Sequence, residues 1–302
     1  MHRLTYKELG RTGEKLTSLG LGTWKIPNDS KKGMVAIRTG LEHCINHVDT
    51  AEMYANEELV GKAISNYDVF VATKVSPNHF RHDDLIRACR ASISRLNVKQ
   101  IDLYQLHWPN KRVPIKETMR AMEELVGRGL IRYIGVSNFS VSEMIEAQEA
   151  MKREEIVSNQ VEYSILVRDV EEEMMQFCEK EGITLTAYSP LARGGLFSGR
   201  YKTMRQHLEY VGRKHGKTAT QVALNYLIRH KPVIAIPKAA NKSHVLENIG
   251  SMGFTISDAE AESIGSIRNI RSRKLAGRFT NLFLKHTSAW AAAVQKIEEK
   301  RH

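Results

Sequence analysis

Eight short, β-branched runs separated by longer amphipathic stretches constrain this 302-residue chain more than any other feature it has. The runs lie near Ser18–Gly22 and at His47–Asp49, Val69–Lys74, Ile101–Gln105, Tyr133–Val136, Ser158–Val161, Thr184–Tyr188 and Val233–Pro237. Between them, helical spacing predicts segments at Lys31–His43, Glu57–Ile64, Asp83–Leu96, Ile115–Arg128, Val141–Met151, Val170–Glu181 and Thr220–His230. Strands that alternate with helices build βα units and a parallel sheet. Length alone leaves room for two domains of roughly 150 residues, but no Pro/Gly/Ser-rich linker divides the chain. Eight repeats without a break favour an α/β fold with one closed (β/α)8 barrel, taken as a single domain over residues 1–302. Two additions are expected. Gly10-Arg11-Thr12-Gly13, between alternating segments, predicts an N-terminal β-hairpin before the first barrel strand. After the eighth strand come extra helices, one from about Ser243 and one behind the N-cap Ser257, and then a tail from about residue 266.

Composition narrows the setting. No window approaches the roughly 20 apolar residues needed to span a bilayer, and the opening residues lack the apolar core of a secretion signal. The three cysteines, Cys44, Cys89 and Cys178, fall at no metal or redox spacing, so a reducing cytoplasm is the expected compartment. The formal charge of +11 raises nucleic acid and anionic ligands as partners. From Ser266 to His302, however, nine Lys and Arg face two Glu, so the body of the chain is nearly balanced and nucleic acid is not the expected partner. In this tail Phe279, Leu282, Phe283, Trp290, Ala293, Val294 and Ile297 recur at helical spacing, the pattern of a helix docked on the barrel or on a neighbouring subunit. That stripe serves a monomer or a homo-oligomer equally.

Chemistry in such barrels sits at the carboxyl ends of the strands. Those ends are polar here: Asp49 with Tyr54 in HVDTAEMY, Lys74 in VFVATKV, His107 in IDLYQLHWP, Ser137 and Asn138 in GVSNFS, Gln160 in NQVEYS, Tyr188 in TAYSPLARGG and Lys238 in IAIPKAAN. Singly, each has a structural reading. Lys74 and Asp49 can be an ion pair of the rim, Tyr54 a packing aromatic, and His107 a satisfied core histidine. An acid, a phenol, an ammonium and an imidazole at the ends of three successive strands weigh toward chemistry. His43 and His47 lie four apart with a helix end between them and no third ligand, so no metal site is expected; His79 and His82 read as surface histidines. No G-x-G-x-x-G follows a strand, which removes a Rossmann dinucleotide site.

In number, order and strand placement, these segments resemble the aldo-keto reductase superfamily, from GRTG and GLGTW through DTAEMY, TKV, LHWP, GVSNFS, NQVEYS, AYSPL and IPK to ENIG at Glu247–Gly250. The resemblance implies a catalytic tetrad of Asp49, Tyr54, Lys74 and His107 and reduced NADP(H) as cofactor. It places Gly22, Thr23, Trp24 and Asp49 beside that cofactor, with Tyr188 flat against the nicotinamide and Ser137, Asn138 and Gln160 on its carboxamide. Ser189, Pro190, Leu191, Arg193 and Gly194 would lie across the pyrophosphate, Lys238, Asn241 and His244 at the phosphate end, and Glu247 and Asn248 at the adenine. Trp24, Tyr54, His107 and Trp108 would line the substrate pocket. Where the family commonly has Lys-Ser and then Arg at the phosphate end, this chain has Lys238-Ala239 and His244, which admits NAD(H) as a second cofactor.

Elementary chemistry supports the same function, NAD(P)H-dependent reduction of a small-molecule aldehyde or ketone. Hydride addition leaves an alkoxide that needs a proton donor about 3 Å away. A phenol of pKa about 10 exchanges protons poorly at neutrality, so the sequence predicts that Lys74, held charged by Asp49, lowers the pKa of Tyr54. His107 would orient the carbonyl oxygen. Two other functions fit the same residues: a Schiff-base lyase using Lys74 as nucleophile, and a cofactor-sensing binding protein that grips a partner through its tail.

Overall fold

The computed structural model describes residues 3–267. The apolar stripe expected between Phe279 and Ile297, and nearly all of the basic tail, lie outside the described residues. The sheet follows the anticipated order. Strands β1 (Tyr6–Glu8) and β2 (Lys15–Thr17) form an antiparallel hairpin with Tyr6 opposite Thr17. Strands β3 (Leu21–Gly22), β4 (His47–Asp49), β5 (Phe70–Val75), β6 (Ile101–Leu106), β7 (Ile131–Ser137), β8 (Ile156–Glu162), β9 (Thr184–Tyr188) and β10 (Val233–Ala235) follow one another in a parallel sheet. Parallel bridges Leu19–Ala235 and Gly22–Lys238, with Gly20 N donating to Ala235 O at 2.9 Å, join its last strand to its first and close the barrel. At this seam a Cβ on Gly22 would lie 2.5 Å from the Ile236 carbonyl, so the closure itself requires glycine there.

Helices α1 (Lys31–Glu42), α2 (Glu57–Ile64), α3 (His82–Leu96), α4 (Ile115–Gly127), α5 (Val141–Glu149) and α6 (Glu173–Glu181) cover the outer face in turn. They are followed by α7 (Lys202–His215), α8 (Ala219–Ile228), α9 (Lys242–Ile249) and α10 (Asp258–Ser266). Ser140 with Glu143, Thr218 with Gln221 and Ser257 with Glu260 form capping boxes that fix where α5, α8 and α10 begin. Two expectations fail. Helix α7, with Met204, Leu208, Val211 and Gly212 buried on one face, occupies a stretch to which no element was assigned. The single helix anticipated at Val170–Glu181 is a 3-10 turn at Asp169–Glu171 and then α6, broken at Glu172, where ψ is −91°.

The hairpin plugs the amino-terminal end of the barrel. Leu9 and Leu16 pack with Phe70, Ala72, Leu103, Val157 and Ile234 in a small internal cluster, and Gly10 N donates to Thr184 Oγ1 at 2.8 Å. His47, 4 % exposed, lies deep in this fold beside Thr17, and burial pushes its pKa down to about 3. The unfolded chain takes up a proton near the ordinary value of 6.5 that the native imidazole refuses until far lower pH, so stability is lost as pH falls below about 6.5. One such histidine costs about 1.4 kcal/mol per pH unit in that window. Urea unfolding at pH 7 and pH 5 should therefore show a loss of roughly 2 kcal/mol from this group, and His47→Gln should flatten the slope. An unchanged slope in that variant would refute the assignment.

Candidate active site

Four side chains from three strand ends meet at one wall of the barrel mouth. Lys74 of β5, fully buried, donates from Nζ to Asp49 Oδ1 of β4 at 2.7 Å and to the Thr50 carbonyl at 2.7 Å. The other carboxylate oxygen of Asp49 accepts from Gln160 Nε2 at 2.8 Å and Gln105 Nε2 at 3.4 Å. Tyr54 comes from the 3-10 turn Glu52–Tyr54 after β4, with Lys74 Nζ 4.9 Å from its ring centroid. His107, 3 % exposed, meets the Tyr54 ring edge-on at 5.6 Å and stacks on Trp108 at 3.9 Å.

The Tyr54 turn is held by residues that sequence reasoning passed over. Asn56, fully buried, accepts from Thr50 Oγ1 at 2.7 Å and donates to the carbonyls of Thr23 and Ile26, both at 2.9 Å. Glu52 accepts from Ser76 N at 2.8 Å and pairs with His79 at 2.8 Å, which makes His79 part of the cleft wall rather than plain surface. The signal was present: Asn56 lies two residues past the DTAEMY segment, at the N-cap position of α2.

The electrostatics differ from expectation in one respect. The Tyr54 ring borders the cleft, yet its walls desolvate the hydroxyl, and burial first and the Asp49 carboxylate second push its pKa well above the ordinary value of 10; only Arg193 opposes them. Lys74 lies against the ring, and its own charge is disfavoured by burial and partly restored by Asp49 and then Glu57. The resting phenol is therefore held protonated rather than made acidic. His107 is pushed well below 6.5 by burial and by the charge of Lys74, so its imidazole is neutral, and its Nδ1 has no hydrogen-bond partner among the described residues.

Away from the tetrad wall the cleft widens to about 2030 Å³. Gly22, Thr23, Trp24, Asp49, Tyr54, His107, Trp108, Ser137, Asn138, Gln160, Tyr188, Ser189, Pro190, Leu191, Arg193, Gly194, Lys238, His244, Glu247 and Asn248 line it. Lys74 sits behind the wall rather than in it. Asn241 is not on the wall either: its side chain caps α9, accepting from His244 N at 3.0 Å and from Ser243 Oγ at 3.0 Å. The barrel already satisfies several of the polar groups. Tyr188 OH donates to Asn138 Oδ1 at 2.9 Å, Asn138 Nδ2 donates to the His107 carbonyl and Ser137 Oγ, and Ser137 Oγ donates to the Gln160 carbonyl.

The rim carries backbone strain. Lys25, Ala55, Asn138, Ser189 and Arg193 all line the cleft with φ between 50° and 61°, a region that costs non-glycine residues of order 1 kcal/mol or more each. Trp24 lies between two cations, Lys25 Nζ at 4.6 Å and Arg193 Cζ at 5.1 Å from its ring, and Arg193 reaches Glu162 at 3.7 Å. Lys25 and Glu162 are wall residues that the sequence reading did not single out.

The sequence and the fold have known counterparts. A sequence model of the aldo/keto reductase family matches residues 18–269. The chain is 37% identical over 254 residues to methylglyoxal reductase YeaE of Escherichia coli, covering 81% of this chain and 88% of that protein. It is 31% identical to glyoxal reductase of Bacillus subtilis, covering 84% and 90%. Among solved structures, the thermostable aldo-keto reductase Tm1743 with the inhibitor epalrestat superposes with a TM-score of 0.81 at 42% identity, over 87% of this chain and 99% of that one. An aldo-keto reductase from Klebsiella pneumoniae in complex with NADPH gives 0.81 at 33% identity, over 89% and 98%. On the family match and these identities, the chain belongs to the aldo/keto reductase family.

Proposed function

We propose that the protein is an NADP-dependent oxidoreductase that reduces a small aldehyde or ketone to the alcohol, with Tyr54 as the proton donor. The observation that carries this reading is the convergence of Tyr54 and His107 on one wall of a cleft large enough for a dinucleotide, with the Asp49–Lys74 ion pair packed behind the Tyr54 ring. The walls suit such a cofactor. Tyr188 supplies a flat face fixed by its bond to Asn138, and Lys238, with no side-chain partner among the described residues, stands at the cleft edge just before the amino end of α9, where charge and backbone dipoles favour phosphate. Bound NADPH supplies the hydride.

The chain's own residues handle the proton. His107, neutral and fixed by its backbone bonds to Val75 and Asn138, orients the carbonyl oxygen beside Tyr54. Tyr54 gives up its proton as negative charge grows on that oxygen. The resulting phenolate is stabilised by the Lys74 ammonium against its ring, which Asp49 and the Thr50 carbonyl hold in place. Lys74 thus acts on the product of proton transfer, whereas burial keeps the acid loaded beforehand. The same burial, with two of its three N–H groups already bonded, argues against Lys74 as a Schiff-base nucleophile.

Reduction of methylglyoxal, followed by loss of dihydronicotinamide absorbance with NADPH and NADH in turn, tests the reading. Turnover is expected with NADPH, favoured by Lys238, and more weakly with NADH, which is admitted because His244 stands where a guanidinium would otherwise grip the 2′-phosphate. Lys238→Ala should raise KM for NADPH about tenfold and leave KM for NADH nearly unchanged. No turnover of methylglyoxal or of any simple aldehyde with either cofactor would overturn the proposal.

A further inference from the structure

Charge on the cleft wall is unevenly committed. Each wall acid has a partner: Asp49 has Lys74, Glu52 has His79, Glu162 has Arg193, Glu143 closes the capping box with Ser140, and Glu247 accepts from Thr218 Oγ1 at 2.8 Å. The wall cations are not all matched. Arg95 pairs with Glu57 at 2.6 Å, Arg193 reaches Glu162, Lys25 lies over the Trp24 ring at 4.6 Å and Lys238 belongs to the phosphate end, but Arg112 has no ion pair, side-chain hydrogen bond or ring contact among the described residues.

Its backbone, by contrast, is fixed. Asn110 Nδ2 donates to the Pro77 carbonyl at 2.8 Å, and Asn110 Oδ1 accepts from Arg112 N at 3.0 Å, which ties the loop after β6 to the neighbouring loop after β5 and holds Arg112 in a turn. Arg112 follows Trp108 by four residues, and Trp108 stacks on His107 at 3.9 Å. The same cleft wall therefore carries the proton donor and imidazole, the apolar indole stacked on that imidazole, and a guanidinium without a side-chain partner among the described residues. A guanidinium is a planar fork that matches a carboxylate, and a wall whose acids are all paired does not compete for it.

We propose that Arg112 makes this enzyme selective for aldehydes that carry a carboxylate a few carbons from the carbonyl. The inference rests on the reductase reading above. In the test, full-length protein with NADPH is assayed on 4-oxobutanoate and on butanal, which differ by the carboxylate. Wild type is expected to favour 4-oxobutanoate by about tenfold in kcat/KM, the scale of one charge-assisted contact at a partly solvated site. Arg112→Met should erase that preference by acting on 4-oxobutanoate alone, Arg112→Lys should keep part of it, and added salt should narrow it. No preference in the wild type, an equal loss on both aldehydes, or a preference that vanishes in Lys25→Met while surviving Arg112→Met would each overturn the assignment.

Binding separates the two claims. Titrating 4-oxobutanoate into NADP+-loaded protein, followed by tryptophan fluorescence, should show about tenfold weaker binding in Arg112→Met, and an unchanged Kd would refute the role of Arg112. Failure to reduce either aldehyde would instead remove the reductase reading, while this titration still decides whether Arg112 holds the carboxylate.

Discussion

Tyr54→Phe should lower kcat by a factor of about 10²–10⁴, the range in which a positioned proton donor contributes, while NADPH still binds. The phenol's ring packs against His107 and Lys74, and phenylalanine keeps that ring, so the loss isolates the hydroxyl. Cofactor affinity, read by fluorescence titration, should change by less than a factor of about three, since the hydroxyl is not among the groups proposed to hold the dinucleotide. The pH profile adds a second check. Burial and Asp49 hold Tyr54 above the ordinary tyrosine range, so its proton is present throughout neutral and mildly alkaline pH. Reduction should show no loss of rate from this group until pH exceeds about 10. A variant that turns over as fast as wild type would remove Tyr54 from the chemistry.

Lys74→Met should be costly twice over. It leaves the Asp49 carboxylate, 3 % exposed, with only the amide donors of Gln160 and Gln105. Removing one member of a buried ion pair typically costs 3–5 kcal/mol, which for a domain of this size lowers Tm by on the order of 10 °C. Neutralising the partner should return part of this, so Asp49→Asn/Lys74→Met is expected to be more stable than Lys74→Met alone, although equally inactive. Thermal melts of the two single variants and the double variant close the cycle. If the double variant melts no higher than Lys74→Met, the carboxylate left behind is not what destabilises the protein.

Much of this molecule can be read from its residues, for physical reasons. β-branched runs marked the parallel strands, which are buried on both faces, and period-3.6 patterning marked most of the helices, which must bury one face against the barrel. The tetrad was legible since chemistry at strand ends puts polar residues where apolar ones would otherwise finish a core strand. Helix α7 escaped because the glycines before it read as one continuous turn, although Met204, Leu208 and Val211 carry helical spacing. Asn241 read as a phosphate contact, but an asparagine ahead of a helix has a local use for its side chain, and the cap takes it. The pKa of Tyr54 went the other way from expectation because desolvation is a property of the surrounding walls, and no spacing along the chain encodes how deeply a hydroxyl sits. The loop that presents Arg112 is equally silent in one dimension, since only the fold reveals which of its neighbours are already spoken for.

The hairpin that seals the barrel with Leu9 and Leu16 divides labour within the molecule. Rigidity is invested at one pole and recognition at the other, so drift in the loops above the strands can alter what the protein accepts without loosening the seal beneath. The segment from Trp108 to Pro114 can thus be rewritten by selection, or by an engineer, against a foundation that does not feel the change.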